Sequence, residues 1–108
     1  MKGISVLVVE DCIDLRDEII FHLSLKGVLA VGVGSIELAN KWLLCNTPDV
    51  IVLERNLNDG DGLEWLKTIN LPDDVAIIIA TEIGEVIERV RGFKLGVDSY
   101  LVKPVALE

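Results

Sequence analysis

The chain predicts an α/β fold, a doubly wound parallel sheet of five strands with helices on both faces. Two observations carry that prediction. Runs such as Ile4-Ser5-Val6-Leu7-Val8-Val9 and Val75-Ala76-Ile77-Ile78-Ile79-Ala80 are short, apolar and rich in β-branched residues, as strands buried on both sides must be. Between such runs lie segments whose apolar residues recur at helical spacing, and that alternation closes with right-handed crossovers. In a sheet of this kind the functional crevice lies at the C-terminal ends of the strands, where the strand order reverses.

The first strand is the run ending at Glu10-Asp11. Asp14 is placed to cap the following helix, and Asp17 and Glu18 in its first turn suit the positive helix end. Leu15, Ile19, Ile20 and Leu23 give that helix one apolar face, and Lys26-Gly27 closes it. Val28 to Val33 is a weaker second strand, interrupted by Gly32. Ser35 can cap a second helix carrying Leu38, Ala39, Trp42 and Leu43. Val50 to Leu53 is the third strand, a Gly/Asp/Asn-rich loop follows, and Leu63, Leu66 and Ile69 mark a short third helix. After the fourth strand, Val75 to Ala80, the residues Val86, Val90 and Phe93 form the apolar face of a fourth helix ending at Gly96. Ser99 to Val102 is the fifth strand, and Lys103-Pro104 follows it.

With 108 residues, 51% of them hydrophobic, the chain suits one packed domain rather than a disordered segment. No repeat, linker or low-complexity stretch divides it. The absence of an apolar run of about 18 residues or of a signal-peptide pattern makes the cytoplasm the expected compartment, with no membrane partner. A formal charge of −8 disfavours direct nucleic-acid binding by this domain, because no basic stripe is present to release counterions. Cys12 and Cys45 suit neither a disulfide framework nor a metal knuckle and read as small apolar residues. His22, mid-helix, reads as a partly exposed helix residue.

The strand ends carry the chemistry. Glu10-Asp11 ends the first strand, Glu54 the third, Thr81 the fourth and Lys103-Pro104 the fifth. The topology brings these carboxylates, one hydroxyl and one ammonium to a single crevice. Clustered carboxylates repel, and burial raises their pKa values unless a cation compensates. Mg²⁺ is the simplest such cation, with Glu10, Asp11 and Glu54 as carboxylate ligands and the Asn56 carbonyl as a backbone ligand. Neither G-x-G-x-x-G nor G-x-x-x-x-G-K-[ST] follows any strand, which argues against a nucleotide-cradling loop.

At these residues the chain resembles the receiver domains of two-component response regulators. VLVVEDCIDLRD is similar to their first strand, acidic pair and helix start. PDVIVLERNLNDGDGLEWL is similar to the phosphoacceptor strand and its loop, and ATEIGEVIERVRGFKLGVDSYLVKP to the stretch from the fourth strand end through Lys-Pro. The resemblance covers the whole chain and implies a flavodoxin-like sheet of order 2-1-3-4-5. It also implies phosphoryl transfer from a partner histidine kinase to an aspartate, assisted by Mg²⁺, in a module that signals by conformation rather than turnover. By this resemblance Glu10 and Asp11 match the metal-binding pair, Asn56 the carbonyl position, and Thr81 the hydroxyl that bonds the phosphoryl group. Tyr100 matches the aromatic that changes rotamer on activation, and Lys103 the phosphate-pairing lysine, whose bond to Pro104 is often cis. RVRGFKLGVDSYLVKP is most similar to receivers attached to winged-helix DNA-binding domains, which implies an effector domain beyond residue 108 and a role in transcription.

Two departures shape the expectation. Glu54 stands where the family carries its aspartate, and one extra methylene moves the carboxylate by about 1.5 Å into the space of the phosphoryl group. Phosphorylation by the normal route is therefore expected to be absent, with the switch biased rather than locked. The sequence also stops where the family's fifth helix begins, so that helix is expected to be missing or truncated and the uncovered sheet to drive self-association into a homodimer. Two rivals stay open. A Mg²⁺-dependent phosphatase of the haloacid-dehalogenase type would need a D-x-D after the first strand, which Glu10-Asp11 is not. A metal-free structural pseudo-receiver would bind no Mg²⁺.

Overall fold

A computed structural model describes residues 3–104. Five parallel strands form the main sheet: β1 (Ser5–Val9), β2 (Leu29–Val33), β3 (Val50–Leu53), β6 (Ala76–Thr81) and β7 (Ser99–Val102). Their order, β2-β1-β3-β6-β7, is the expected 2-1-3-4-5 once a two-stranded ribbon in the loop after β3 is set aside. That ribbon, β4 (Asn56–Leu57) against β5 (Gly60–Asp61), is antiparallel and was not foreseen in what reads as a loop. The helices are α1 (Ile13–Leu25), α2 (Ile36–Leu43), α3 (Gly62–Leu66) and α4 (Val86–Lys94). The expected fifth helix falls on residues 105–108, outside the described residues.

The sheet's central strands are apolar because both of their faces are covered. Leu7, Ile51, Leu53 and Ile79 are fully buried in one cluster with Ala39, Leu63, Trp65 and Tyr100. Each such aliphatic side chain stabilises the fold by about 1.5–3 kcal/mol relative to exposure. On the opposite face Val6, Val8 and Ile19 form a second cluster joined by Leu15, Ile20 and Leu23, which is the expected face of α1. A groove of about 770 Å³ opens beside α1, lined by Leu15, Ile19, Leu23, Val52, Ile78 and Leu101.

Local expectations divide. Ser35 caps α2, its side chain accepting from Leu38 N at 3.1 Å, and Asp59 adds a second cap by accepting from Ile36 N and Glu37 N. Asp14 does not cap α1. The N-cap is Cys12, with no side-chain hydrogen bond, and Asp14 lies inside the first turn, where its charge still suits the helix dipole. Gly32 does not interrupt β2. It lets α1 approach, since a Cβ there would stand 2.5 Å from Ile20 Cδ1. Leu38 is exposed because the turn begun at Ser35 faces Ile36 and Ala39 toward the sheet. Both cysteines are free and exposed, not packed inside.

The largest correction concerns α4. Val86, Val90 and Phe93, its apolar face, do not turn into the core but are 74%, 44% and 52% exposed. Its buried residue is Gly92, against which the Tyr100 ring packs so closely that a Cβ would lie 2.9 Å from Tyr100 Cδ2. The helix thus meets the sheet through a glycine and, one turn earlier, through Glu88.

Candidate functional site

Strand register assembles the crevice. Val9 pairs with Leu53 and Leu53 with Ile79, so Glu10 and Glu54 leave adjacent strands at the same level. Glu10 N donates to Val33 O and Glu54 N to Val9 O, which continues the ladder one residue past each strand. Thr81 pairs with Val102, and Lys103 N donates to Thr81 O at 2.8 Å, so the lysine starts from a fixed backbone position. The Lys103–Pro104 peptide bond is cis, as the resemblance implied.

Lys103 Nζ donates to Glu10 Oε1 and to Glu54 Oε1, both at 2.7 Å. The second oxygens are also engaged: Glu10 Oε2 accepts from Cys12 N at 3.2 Å, and Glu54 Oε2 from Asn56 N at 2.9 Å. Thr81, fully buried, faces Glu54, and its Oγ1 accepts from Ile83 N. One ammonium therefore serves two buried carboxylates, with Asp11 beside them.

The two glutamates respond oppositely. Burial raises the Glu10 pKa; the bonds from Lys103 and Cys12 oppose this without overcoming it, and Asp11 adds to the rise. Burial pushes Glu54 up as well, but the hydrogen bonds from Lys103, Thr81 and Asn56 prevail and hold it below the usual carboxylate value. Burial opposes the Lys103 charge, yet its bonds to Glu10 and Glu54 hold its pKa above the usual lysine value.

This arrangement can be tested for Mg²⁺. A hard cation is held by several oxygens at short range. All four oxygens of Glu10 and Glu54 accept hydrogen bonds from the protein, and the ammonium stands between the two carboxylates. Asn56 meets Glu54 through its N–H. Among the described residues no group of three or more His, Cys, Asp or Glu is disposed to hold a metal. Lys103 thus supplies the compensating charge that the expected ligand set of Glu10, Asp11, Glu54 and the Asn56 carbonyl would otherwise take from an ion.

Tyr100 lies apart from the crevice. Its hydroxyl donates to Ile83 O at 2.6 Å and accepts from Arg55 Nη1 at 3.3 Å. Arg55 was missed by sequence reasoning. It follows Glu54 directly yet is 3% exposed, paired with Asp61 Oδ2 at 3.2 Å and with Glu88 Oε1 at 2.9 Å. A sequence cue existed in the helical spacing of Glu88 and Gly92 on α4, opposite the face that hydrophobicity favoured.

Comparison with known proteins gives a consistent answer. The family model for the response regulator receiver domain matches residues 6–108. The chain is 32% identical over 102 residues to the phosphate regulon transcriptional regulatory protein PhoB of Escherichia coli (strain K12), covering 92% of this chain and 44% of the relative. It is 35% identical over 112 residues to the response regulator MprA of Mycobacterium sp. (strain KMS), covering 97% of this chain and 46% of the relative. The chain thus spans less than half the length of these curated relatives. Among solved structures, a two-component response regulator from Clostridium difficile superposes with a TM-score of 0.92 at 29% identity, covering 97% of this chain and 87% of the other. The non-phosphorylated HemR receiver domain from Leptospira biflexa superposes with a TM-score of 0.90 at 26% identity, covering 97% and 86%.

Proposed function

Because the chain belongs to the response regulator receiver family, we propose that it signals by conformation and partner contact while Glu54 keeps its crevice from being phosphorylated in the usual way. The observation that carries this reading is the state of the Glu54 carboxylate, with Oε1 held by Lys103 at 2.7 Å and Oε2 by Asn56 N at 2.9 Å. A phosphoryl acceptor needs a free oxygen in line with the donor, since this chemistry is mostly positioning and electrostatics. Here Lys103 and Asn56 N fix the orientation of both oxygens, and the longer side chain fills space where the phosphoryl group would stand. Glu54 offers about −1 charge where a phosphoryl group approaches −2, so it leans the switch without locking it. Tyr100, buried with its hydroxyl on Ile83 O, supports that lean.

A histidine kinase or small phosphodonor is then a vestigial partner, and Mg²⁺, which receivers generally bind at this place, must displace the Lys103 ammonium to enter. The relatives named as transcriptional regulators support an effector domain as the output partner. The groove beside α1 supports self-association as a further contact. A sedimentation coefficient independent of concentration would remove that contact from the reading.

The central test weighs the intact protein after incubation with Mg²⁺ and acetyl phosphate. Phosphate is expected on a Glu54→Asp variant alone. Phosphate on both proteins overturns the reading.

A further inference from the structure

Arg55 sits inside the turn that Glu54 closes. Glu54 Oε2 accepts from Asn56 N across it, and Arg55 O accepts from Gly62 N at 2.7 Å. The bonding state of the Glu54 carboxylate and the backbone that aims the Arg55 side chain are therefore one unit. The guanidinium reaches three other elements: Asp61 on β5, Glu88 on α4 and the Tyr100 hydroxyl on β7. Its Nε is buried without a hydrogen-bond partner. A core that needed only filling would be served as well by an apolar side chain of similar length, without the desolvation of a cation and an orphaned N–H.

The surroundings show what the cation does instead. The apolar residues Val86, Ile87, Val90 and Phe93 of α4 all face solvent, so the helix is held by Gly92 against Tyr100 and by Glu88 on Arg55. Glu88 is also drawn by Arg91 Nη1 at 2.9 Å, a competing partner on its own helix. Glu88 Oε1 is thus shared between Arg55 and Arg91, so a partner on its own helix stands ready to hold it when the pair to Arg55 opens.

We propose that Arg55 is a positioning residue, an ionic latch that transmits the state of the Glu54 carboxylate to Tyr100 and to the N-terminal half of α4. The proposal rests on the reading of Glu54 as the switch position, but its readout does not depend on phosphorylation. Removing the latch loosens α4 and frees the tyrosine while the sheet stays intact.

The chain has one tyrosine, so 3-fluorotyrosine gives a single ¹⁹F resonance reporting on Tyr100. That resonance and amide exchange across residues 86–94 are measured in the 108-residue chain and in Glu54→Gln, Arg55→Met and Glu88→Gln variants. Arg55→Met and Glu88→Gln are each expected to speed α4 exchange by about tenfold, while β1 and β3 amides stay within about twofold. Glu54→Gln should shift the resonance and change α4 exchange, and Arg55→Met should abolish that response. If Arg55→Met does not fold, Glu88→Gln carries the test and must itself diminish the α4 response to Glu54→Gln. The latch is overturned if that response persists undiminished without it, if Glu54→Gln has no effect on the resonance, or if α4 exchange is unchanged in the latch variants. Intact mass after phosphodonor treatment reports separately on Glu54, so phosphate found there would fail the functional reading and leave the latch standing.

Discussion

Glu54 and Arg55 are neighbours in the chain, both buried and both ionic, yet the clusters they build draw on different parts of the fold. Around Glu54 two carboxylates share one ammonium, and every group leaves the end of a strand whose register is fixed by the sheet. Around Arg55 one guanidinium serves two carboxylates and a phenol, and the groups come from a ribbon, a helix and a strand. The first cluster has excess negative charge on a rigid frame, so perturbing it changes the charge balance before it changes the shape. The second cluster, where Arg91 also pairs with Glu88, is close to balanced and spans elements with few other links, so perturbing it changes shape first. A switch needs both kinds of cluster, one that responds to charge and one that converts the response into displacement.

The largest expected effect breaks this comparison on the Glu54 side. Lys103→Met leaves two buried carboxylates without their cation and should cost about 3 kcal/mol of folding stability at neutral pH, read from urea unfolding in EDTA. The loss should shrink as pH falls, because with the lysine gone both carboxyls titrate higher in the folded state and their protonation favours folding. Millimolar Mg²⁺ should restore part of the midpoint in the variant and leave the parent unchanged, since the ammonium and the ion compete for the same oxygens. Equal responses to Mg²⁺ would show that Lys103 does not exclude the ion. Arg55→Met should cost less, about 1–2 kcal/mol, because Asp61 and Glu88 are partly exposed and can rehydrate. A reversed ranking would undo the contrast between the clusters.

A smaller effect sharpens the Arg55 side. Gly92→Ala places a Cβ 2.9 Å from the Tyr100 ring, a clash worth about 1–3 kcal/mol that a better helix propensity offsets by about 1 kcal/mol. The net loss of about 1 kcal/mol should be local, appearing as faster exchange in α4 and at Tyr100 with the midpoint response to Mg²⁺ unchanged. Losses spread evenly over the sheet would mean that α4 is no separate unit.

The strands were legible because their physics is local. Val50 to Leu53 is apolar throughout, with Ile51 and Leu53 buried, and such a stretch ending in Glu54 aims a carboxylate at the crevice by register alone. Glu10, Thr81 and Lys103 were legible for the same reason. The α4 face was not, because hydrophobic periodicity assumes that apolar residues point inward, and here Arg55 occupies the space beneath the helix. No periodicity marks a buried arginine, whose partners are set by tertiary contact. The charge balance of the crevice was legible only in part: charge counting asks for a cation beside the carboxylates, and in the structure Lys103, held by both glutamates at once, supplies that charge.

The smallest effect separates the two glutamates of the first cluster. Glu54 titrates below the usual 4.5, so it contributes stability that is present above that value and lost as pH falls through its lower folded pKa. Glu10 titrates above 4.5, so its contribution has the opposite sign, full below 4.5 and lost as pH rises through its raised pKa. The parent should therefore gain a little stability as pH falls from neutral toward 4.5 and lose it below. Glu10→Gln should abolish the gain and keep the acid loss, because Lys103 then serves Glu54 alone. Urea midpoints between pH 7 and pH 3.5, taken at intervals of about half a unit, resolve the two limbs. A gain that survives in Glu10→Gln would place the raised carboxyl elsewhere, and the asymmetry of the shared ammonium would have to be abandoned.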